Sequence, residues 1–403
     1  MSTSLLYHAF GLKGYIYQRT EYVGGEIHFT VEQASSGLRC SACRSRRVIR
    51  RGGRHRRFRG LPIGRRRVWI ELKVPRLECK ACGAVRQAEV SFAPGQHGYT
   101  KRFARYVLDL VRHMTMWDTA EHVGVSWNLV KELLKEALRR RFGRPRLKGL
   151  RLLAIDEISV GYGQRYLTVV LDLETGAVVF VGKGKGAAAL DPFWKRLKRA
   201  RARIEAVAID MSQAYINAVR SHLPTAVQVF DHFHVVKLMN DKLADLRREL
   251  QRQAESEDKA VLKGTRWLLL KNPEKLDEAR DEAKHLEAAL ALNEPLAVAY
   301  YLKEDLRQLW SQPDQAAAAE FLEGWIERAR ASGIRQLVQM SNTLSLHRSG
   351  LLAYYDVPIS TGPLEGTNNK IKTLQRQAYG YRDMEFFRLR IFALHETRYE
   401  LVG

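Results

Sequence analysis

RLLAID (151–156), RYLTVVLD (165–172), AVVFV (177–181), IEAVAID (204–210) and AVQVFD (226–231) are five short apolar runs whose order decides the fold. Each is rich in β-branched residues and bounded by turn or polar residues, so each reads as a strand. Glu174-Thr-Gly176 is a turn signal between the second and third. Residues 187–201 carry Leu190, Phe193, Trp194 and Leu197 at helical spacing, and 213–223 reads as a second helix closed by Pro224. The order β-β-β-α-β-α-β implies a mixed sheet covered on both faces. Three of the strands close on Asp156, Asp210 and Asp231. An open α/β sheet carries its site at the carboxyl ends of its strands. Strands one and four are neighbours in this order, so Asp156 and Asp210 are placed to face each other. Two close carboxylates stay ionised only with a cation between them, and hard oxygen ligands select Mg²⁺ or Mn²⁺. Strand-end aspartates that merely cap turns give the same pattern.

A third acid lies far downstream, in STGPLEGTNNKIKTLQRQ (360–377). Pro363 fits a first helical turn capped by Ser360 or Thr361. Leu364, Ile371, Leu374 and Ala378 form an apolar stripe. Beside it Glu365, Asn369, Lys372 and Arg376 are spaced 4, 3 and 4 apart. A carboxylate in the first turn, followed by amide and basic side chains on one face, suits a metal ligand with phosphate-contacting neighbours.

The four cysteines form two CxxC pairs, Cys40/Cys43 and Cys79/Cys82. Each CxxC turn sets two thiolates on one side of a knuckle, and two knuckles complete a tetrahedral Zn²⁺ site of the zinc-ribbon kind. A hairpin must fill the spacer, with 67–74 as one strand. Between Arg44 and Glu78 lie 14 Arg or Lys against two Glu. This one-signed run points to phosphate contact by Arg54, Arg56, Arg57, Arg59, Arg65, Arg66 and Arg67. Next, 117–124 and 125–138 have the form helix, Gly turn, helix, with Ser126 placed to cap the second. Leu129, Leu133, Leu134 and Leu138 face inward, leaving Asn128, Lys131 and Lys135 outward for a DNA groove. A plain helical hairpin has the same periodicity.

The 403 residues imply several domains, and 67 Lys plus Arg against 44 Asp plus Glu give a net charge of +23. A polyanion is the expected partner. No apolar run approaches the roughly 18 residues of a membrane span, and the N-terminus has no signal-peptide pattern. Residues 240–340 are helical in pattern, with breaks near Asn272-Pro273, Asn293-Glu-Pro295 and Gln312-Pro313.

CSAC and CKAC, the helix-turn-helix, AIDEIS, AIDMSQAY, VFDHFHVVKLMND and STGPLEGTNNKIKTLQRQAYGYRDMEFFRLRIF together resemble bacterial insertion-sequence transposases of the ISL3 family, in order and over essentially the whole length. The resemblance implies a multidomain α/β chain. A zinc-ribbon DNA-binding domain would span 1–95 and a helix-turn-helix domain 96–148. An RNase H-like catalytic domain would occupy 149–240 and 341–403, interrupted by a helical insertion at 241–340. The implied Asp-Asp-Glu triad falls on Asp156, Asp210 and Glu365, which would hold two Mg²⁺ (or Mn²⁺), with one structural Zn²⁺ on the cysteines. The implied partners are double-stranded DNA, as terminal inverted repeats and as target, and a second copy of the chain. The expected setting is the bacterial cytoplasm and nucleoid. A domesticated DNA-binding regulator and an RNase H-like nuclease without strand joining are the alternatives.

Weaker signals remain. Asp231, His232 and His234 are expected to be structural or to lie behind the metal ligands. Gly182-Lys-Gly-Lys-Gly186 lacks the Lys-Ser/Thr close of a phosphate loop, so it reads as a turn and no nucleotide cofactor is expected. Trp267, Tyr379 and Tyr381 are expected to pack, although an indole at Trp267 could also stack on a flipped base. Arg348 is a candidate for phosphate contact near the site.

Overall fold

The computed structural model describes residues 5–396 except 162, 164, 255–261 and 263–264. Parts of the expected insertion and residues 397–403 thus lie outside the described residues. The chain divides into two compact units, with the boundary between Arg141 and Phe142.

In the first unit a short helix, α1 (Leu5–Phe10), precedes β1 (Tyr15–Val23), β2 (Glu26–Gln33), β3 (Val48–Arg59), β4 (Val68–Cys79) and β5 (Val85–Gln87). They form one sheet in the order β1-β2-β4-β3, with β5 also on β4. β3 and β4 are the hairpin expected between the knuckles. Val68, Ile70, Leu72 and Val74 alternate inward along β4 onto Phe10, Phe29, Val31 and Phe58. Three helices follow: α2 (Lys101–Leu110), α3 (Met116–Val123) and α4 (Trp127–Phe142). They close over Phe103, Val107, Val123, Val130 and Leu133. Thr115 Oγ1 accepts the Asp118 N–H at 3.1 Å at the start of α3. Gly124 ends that helix at φ +63°, and a Cβ there would also come within 2.4 Å of the Arg67 guanidinium. Ser126 Oγ accepts the Leu129 N–H at 3.3 Å, so it caps α4 as its position suggests.

The second unit opens with β6 (Leu152–Ser159), β7 (Tyr166–Asp172) and β8 (Val178–Lys183) as an antiparallel meander. After α5 (Asp191–Ala200), β9 (Ala206–Ile209), α6 (Gln213–His222) and β10 (Val227–Phe230), the sheet order is β10-β9-β6-β7-β8. β9 runs parallel to β6, and β10 parallel to β9. This is the RNase H-like arrangement. β6 does differ from expectation: it continues to Ser159 because β7 pairs with it that far, whereas its parallel ladder with β9 stops at Ala154. Asp156 therefore sits just past the end of the parallel ladder rather than at the end of its strand.

Among the described residues, the α-helices that follow are α7 (His232–Gln253), α8 (Glu282–Ala291), α9 (Glu294–Arg307), α10 (Gln315–Ala331), α11 (Arg335–Leu346), α12 (Arg348–Leu352), α13 (Gly362–Gln377) and α14 (Met384–Ala393). The helical region begins at His232, ahead of 240, because Asp231 caps α7. The three sequence breaks hold: Asn293 caps α9 and Asp314 caps α10 through their side chains. Leu153, Ile155, Val207 and Ile209 cover one sheet face with Phe193, Tyr215 and Val219. Ala154, Ile158, Val169 and Ala208 cover the other with Leu364, Ile371, Leu374 and Phe387 of α13 and α14. Gly350 of α12 lies so close to the Phe230 ring that a Cβ would meet it at 2.4 Å, which seats β10 tightly beneath Asp231. Among the described residues no helix is long and apolar enough to cross a membrane.

Two sequence expectations fail here. Trp267 is 65% exposed instead of packed, and its ring carries the Arg266 guanidinium at 4.8 Å. Trp325 is the tryptophan that fills the insertion core, with its indole N–H on the Leu302 carbonyl at 2.8 Å. Tyr381 does pack, stacked on Phe387, but Tyr379 is fully exposed.

Candidate active site and metal centres

The four cysteine sulfurs lie within 4.8 Å of one another. Cys40 and Cys82 are 3.7 Å apart and Cys43 and Cys79 3.5 Å, too far for a disulfide near 2.05 Å. Tetrahedral Zn–S bonds of about 2.3 Å put sulfurs about 3.8 Å apart, so the quartet fits zinc. Burial raises the Cys79 thiol, but the Ala81 and Cys82 N–H groups outweigh it and bring it down to about 6. A thiolate is the form that binds metal.

The basic candidates of this unit separate on contact. Arg54, Arg57, Arg65, Arg66 and Arg67 are exposed, and Arg67 also pairs with Glu26 at 3.5 Å. Arg56 donates to the Gln96 and His97 carbonyls. Arg59 is a correction: it is buried, donates to the Val123 carbonyl at 2.8 Å and lies over Trp69 and Phe103. Such a guanidinium holds the sheet to the helices and does not reach a phosphate. On α4 Asn128 is exposed, but Lys131 and Lys135 are half-buried rather than outward, and Lys131 leans over Trp127.

In the second unit the register does the positioning. Ala154 pairs with Ala208, and Ile209 with Phe230. Two residues beyond the first pair and one beyond the second stand Asp156, Asp210 and Asp231, level on three adjacent parallel strands. Side chains alternate along a strand, so all three project toward α13. The three then diverge in role. Asp156 Oδ1 accepts the Glu157 N–H at 2.7 Å, and Oδ2 accepts Asn368 Nδ2 at 2.8 Å. Asp210 Oδ1 accepts the Ser212 N–H at 3.0 Å. Burial raises the pKa of both, and their mutual field adds to it at Asp156.

Asp231 is fully buried. Its Oδ2 accepts the His234 backbone N–H and faces His234 Nδ1 at 3.1 Å, while Oδ1 accepts the Thr361 N–H at 3.0 Å. Burial alone would raise it, yet the bonds from His234 and Thr361 hold it below the usual carboxylate range. The Asp231 bond raises His234 in turn, against the effect of burial, and the Asp156 and Asp210 charges add to the rise.

Glu365 is exposed in the first turn of α13, one turn before Asn368. Thr361 is the residue at the helix start, but its side chain does not cap; Ser360 Oγ accepts the Gly362 N–H instead. Asn369, Lys372 and Arg376 continue outward from Glu365, whereas Ala378 is exposed past the helix end. Among the described residues, only the cysteines form a group of three or more such ligands all within 4.8 Å. Asp156, Asp210 and Asp231 thus share one end of the sheet, with Glu365 on the helix that Asn368 bonds to Asp156, and the acids do not close on a common point. Asn368 Oδ1, buried beside Asp156, has no hydrogen-bond partner. A paired set of raised carboxylates with a spare buried oxygen acceptor fits a hard divalent cation.

Sequence reasoning missed Asn368, although the stripe Leu364, Ile371, Leu374 has a polar gap at Thr367-Asn368 that signals it. It also missed Glu157, whose Oε1 accepts the Gly186 N–H at 2.8 Å and the Tyr215 hydroxyl at 2.6 Å. These bonds fasten the 182–186 turn and α6 to β6. Arg348 pairs with Glu323 at 2.7 Å, and His232 is exposed against Trp310.

Comparison with known proteins supplies the family. A family model described as a transposase matches residues 153–391. The helix-turn-helix domain of transposase family ISL3 matches 88–138, and the zinc finger of the IS204/IS1001/IS1096/IS1165 transposases matches 37–82. The transposase for insertion sequence element IS1001 of Bordetella parapertussis is 33% identical over 390 residues, 95% of this chain and 96% of that one. The transposase for IS1557 of Mycobacterium tuberculosis (strain H37Rv) is 32% identical over 387 residues, 89% and 86% of the two chains. The Drosophila P element transposase strand transfer complex aligns at a TM-score of 0.34 with 12% identity, over 62% of this chain and 78% of that one, a likeness too slight to bear on the fold. With zinc finger, helix-turn-helix and metal-dependent DDE domain in sequence, the chain belongs to the ISL3 family of DNA transposases.

Proposed function

We propose that this transposase binds the terminal inverted repeats of its insertion sequence with the zinc ribbon (1–95) and helix-turn-helix (96–148). Asp156, Asp210 and Glu365 then serve strand cleavage and transfer in a catalytic domain of 149–240 and 341–403 around the insertion 241–340. The observation that carries the reading is the level register of Asp156 and Asp210, with the Glu365 helix bonded to Asp156 through Asn368 and to Asp231 through Thr361. Two Mg²⁺ or Mn²⁺ ions held by the three acids would clamp the scissile phosphate and activate the attacking water or DNA 3′-OH.

The chain's own contribution is preorganisation. Backbone N–H groups of Glu157 and Ser212 fix one oxygen of Asp156 and one of Asp210. Asp231 orders the start of α13 and favours the protonated form of His234 beside the acids. Asn369, Lys372 and Arg376, exposed along α13, offer phosphate contacts next to Glu365, and Arg54, Arg57, Arg65, Arg66 and Arg67 do so on the ribbon. The zinc ribbon holds one structural Zn²⁺. Synapsis of two ends calls for at least a homodimer on DNA, acting at the bacterial nucleoid in the cytoplasm.

The test is incubation of DNA bearing candidate ends with Mg²⁺, with mapping of the cut positions. Asp156→Asn, Asp210→Asn and Glu365→Gln should each lower cleavage about a thousandfold or more while end binding persists. Transposition at the wild-type level by any one of them overturns the assignment.

A further inference from the structure

We propose that Asn368 is a fourth member of the divalent-cation site, steering Asp156 with its amide donor and offering its carbonyl oxygen to the ion or to a water on it. This rests on the triad reading above.

The placement of Asn368 has no packing rationale. It lies 6% exposed on the inner face of α13, in line with buried Leu364, Ile371 and Leu374. Asparagine is a weak helix former, and a buried amide is tolerated only when its polar atoms are satisfied. Here one is and one is not. Nδ2 donates to Asp156 Oδ2 at 2.8 Å, whereas Oδ1 is buried without a partner. Turning the amide over would set Oδ1 against a carboxylate oxygen, two acceptors face to face, so the donor must point at Asp156. The acceptor is then the spare group, a buried oxygen with lone pairs to offer a ligand.

The residue type fits that ligand. Asp156 stands level with Asp210 on the neighbouring strand, and two carboxylates so placed favour a cation between them. A lysine at 368 would supply the charge itself and displace the ion. A neutral amide orients the carboxylate without competing, and its oxygen is a hard donor of the kind Mg²⁺ and Mn²⁺ accept. Each Asp156 oxygen receives one N–H and keeps lone-pair capacity for a metal. Asn368 also stands at i+3 from Glu365, so the residue steering one acid travels on the helix that carries another.

The experiment measures Mn²⁺ binding to the full-length, zinc-loaded protein without DNA, by the electron paramagnetic resonance signal of free Mn²⁺, alongside thermal melting. Asn368→Ala should weaken Mn²⁺ binding about 10- to 100-fold with zinc content and helicity retained. Asn368→Asp sets two carboxylates together; its melting temperature should fall without metal and recover when Mn²⁺ is added. Binding within twofold of wild type for Asn368→Ala overturns the proposal, as does an Asn368→Asp loss that Mn²⁺ does not restore. Asp156→Asn separates the two readings. If it weakens Mn²⁺ binding while Asn368→Ala does not, only the Asn368 role falls. If neither variant changes binding, the triad reading falls and takes this proposal with it.

Discussion

The cysteine quartet and the acid cluster are two cation sites built on opposite plans. The cysteines close on one point, four sulfurs within 4.8 Å, with the Ala81 and Cys82 N–H groups favouring the Cys79 thiolate. Nothing in that arrangement leaves room for a substrate, as befits a structural site. The acids stay apart, and protein donors hold them: Asn368 and Glu157 on Asp156, Ser212 on Asp210, Thr361 and His234 on Asp231. A site held open by hydrogen bonds can accept ions and a phosphate together. The comparison predicts that the first site folds around its metal, whereas the second is folded before any metal arrives.

Removing metal probes this contrast with the largest effect. Structural zinc contributes on the order of 10 kcal/mol to small zinc domains. Stripping Zn²⁺ with a chelator, or Cys40→Ser, should unfold the knuckle end of the ribbon and abolish end binding. Depleting Mg²⁺ should leave circular dichroism and melting of the second unit unchanged. If chelation left the ribbon folded and Mg²⁺ depletion melted the catalytic unit, the contrast would be reversed.

Asp231 is the next point of attack. Its carboxylate ties together the start of α7, His234 and the start of α13. Asp231→Asn keeps the shape but removes the charge facing His234 and one strong acceptor, and should cost about 3 kcal/mol. Urea denaturation in the absence of divalent ions measures it. A loss that appeared only with Mg²⁺ present would mean that the scaffold, too, depends on the ion.

How much of this was legible beforehand follows from what each feature depends on. The five strands and their three aspartates are written in local patterning, so the sheet and the candidate acids could be read directly. Zinc followed from two CxxC spacings. Burial of individual polar residues could not be read, because it depends on which chain segment comes to lie opposite. Arg59 sits in a run of arginines that looks uniformly solvated, yet Trp69 and Phe103 enclose it. Asn368 sits beside Asn369 in sequence; the helical stripe turns it inward, but only the structure shows that it meets Asp156. Trp267 and Tyr379 show the reverse error, aromatic residues assumed to pack that remain exposed.

Titration offers a smaller effect with opposite signs in neighbouring groups. Asp156 and Asp210 have folded pKa values above their unfolded ones, so the native state holds extra protons. Without metal, their contribution to stability falls as pH rises from the unfolded carboxylate value through the folded one. Asp231 lies below its unfolded value, so its contribution is present above about pH 4 and is lost as pH falls through the folded value. His234 lies above its own, so its contribution is complete below about pH 6.5 and fades as pH rises through the folded value. Asp210→Asn should therefore flatten the loss above pH 4, and His234→Gln the loss above pH 6.5, in denaturation curves of Mg²⁺-free protein. Saturating Mg²⁺ should flatten the first and spare the second. Identical profiles for wild type and both variants would remove the electrostatic part of the comparison.

The smallest expected change lies at the far end of the Glu365 helix. There the Tyr379 N–H meets the Arg376 carbonyl at 3.0 Å and the Gly380 N–H meets the Gln375 carbonyl at 2.9 Å, a Schellman ending. That motif requires a left-handed residue, normally glycine, and Tyr379 fills it at φ +50° with its ring wholly in solvent. The side chain gains no packing for the strain it bears. Tyr379→Gly should therefore stabilise the protein, by up to about 1 kcal/mol, since relief of the left-handed clash exceeds the added backbone entropy of glycine in the unfolded chain. Because the scaffold rather than an ion holds α13, the gain in melting temperature should be the same with and without Mg²⁺. A gain present only with Mg²⁺ would show that the ion, after all, helps to set the helix.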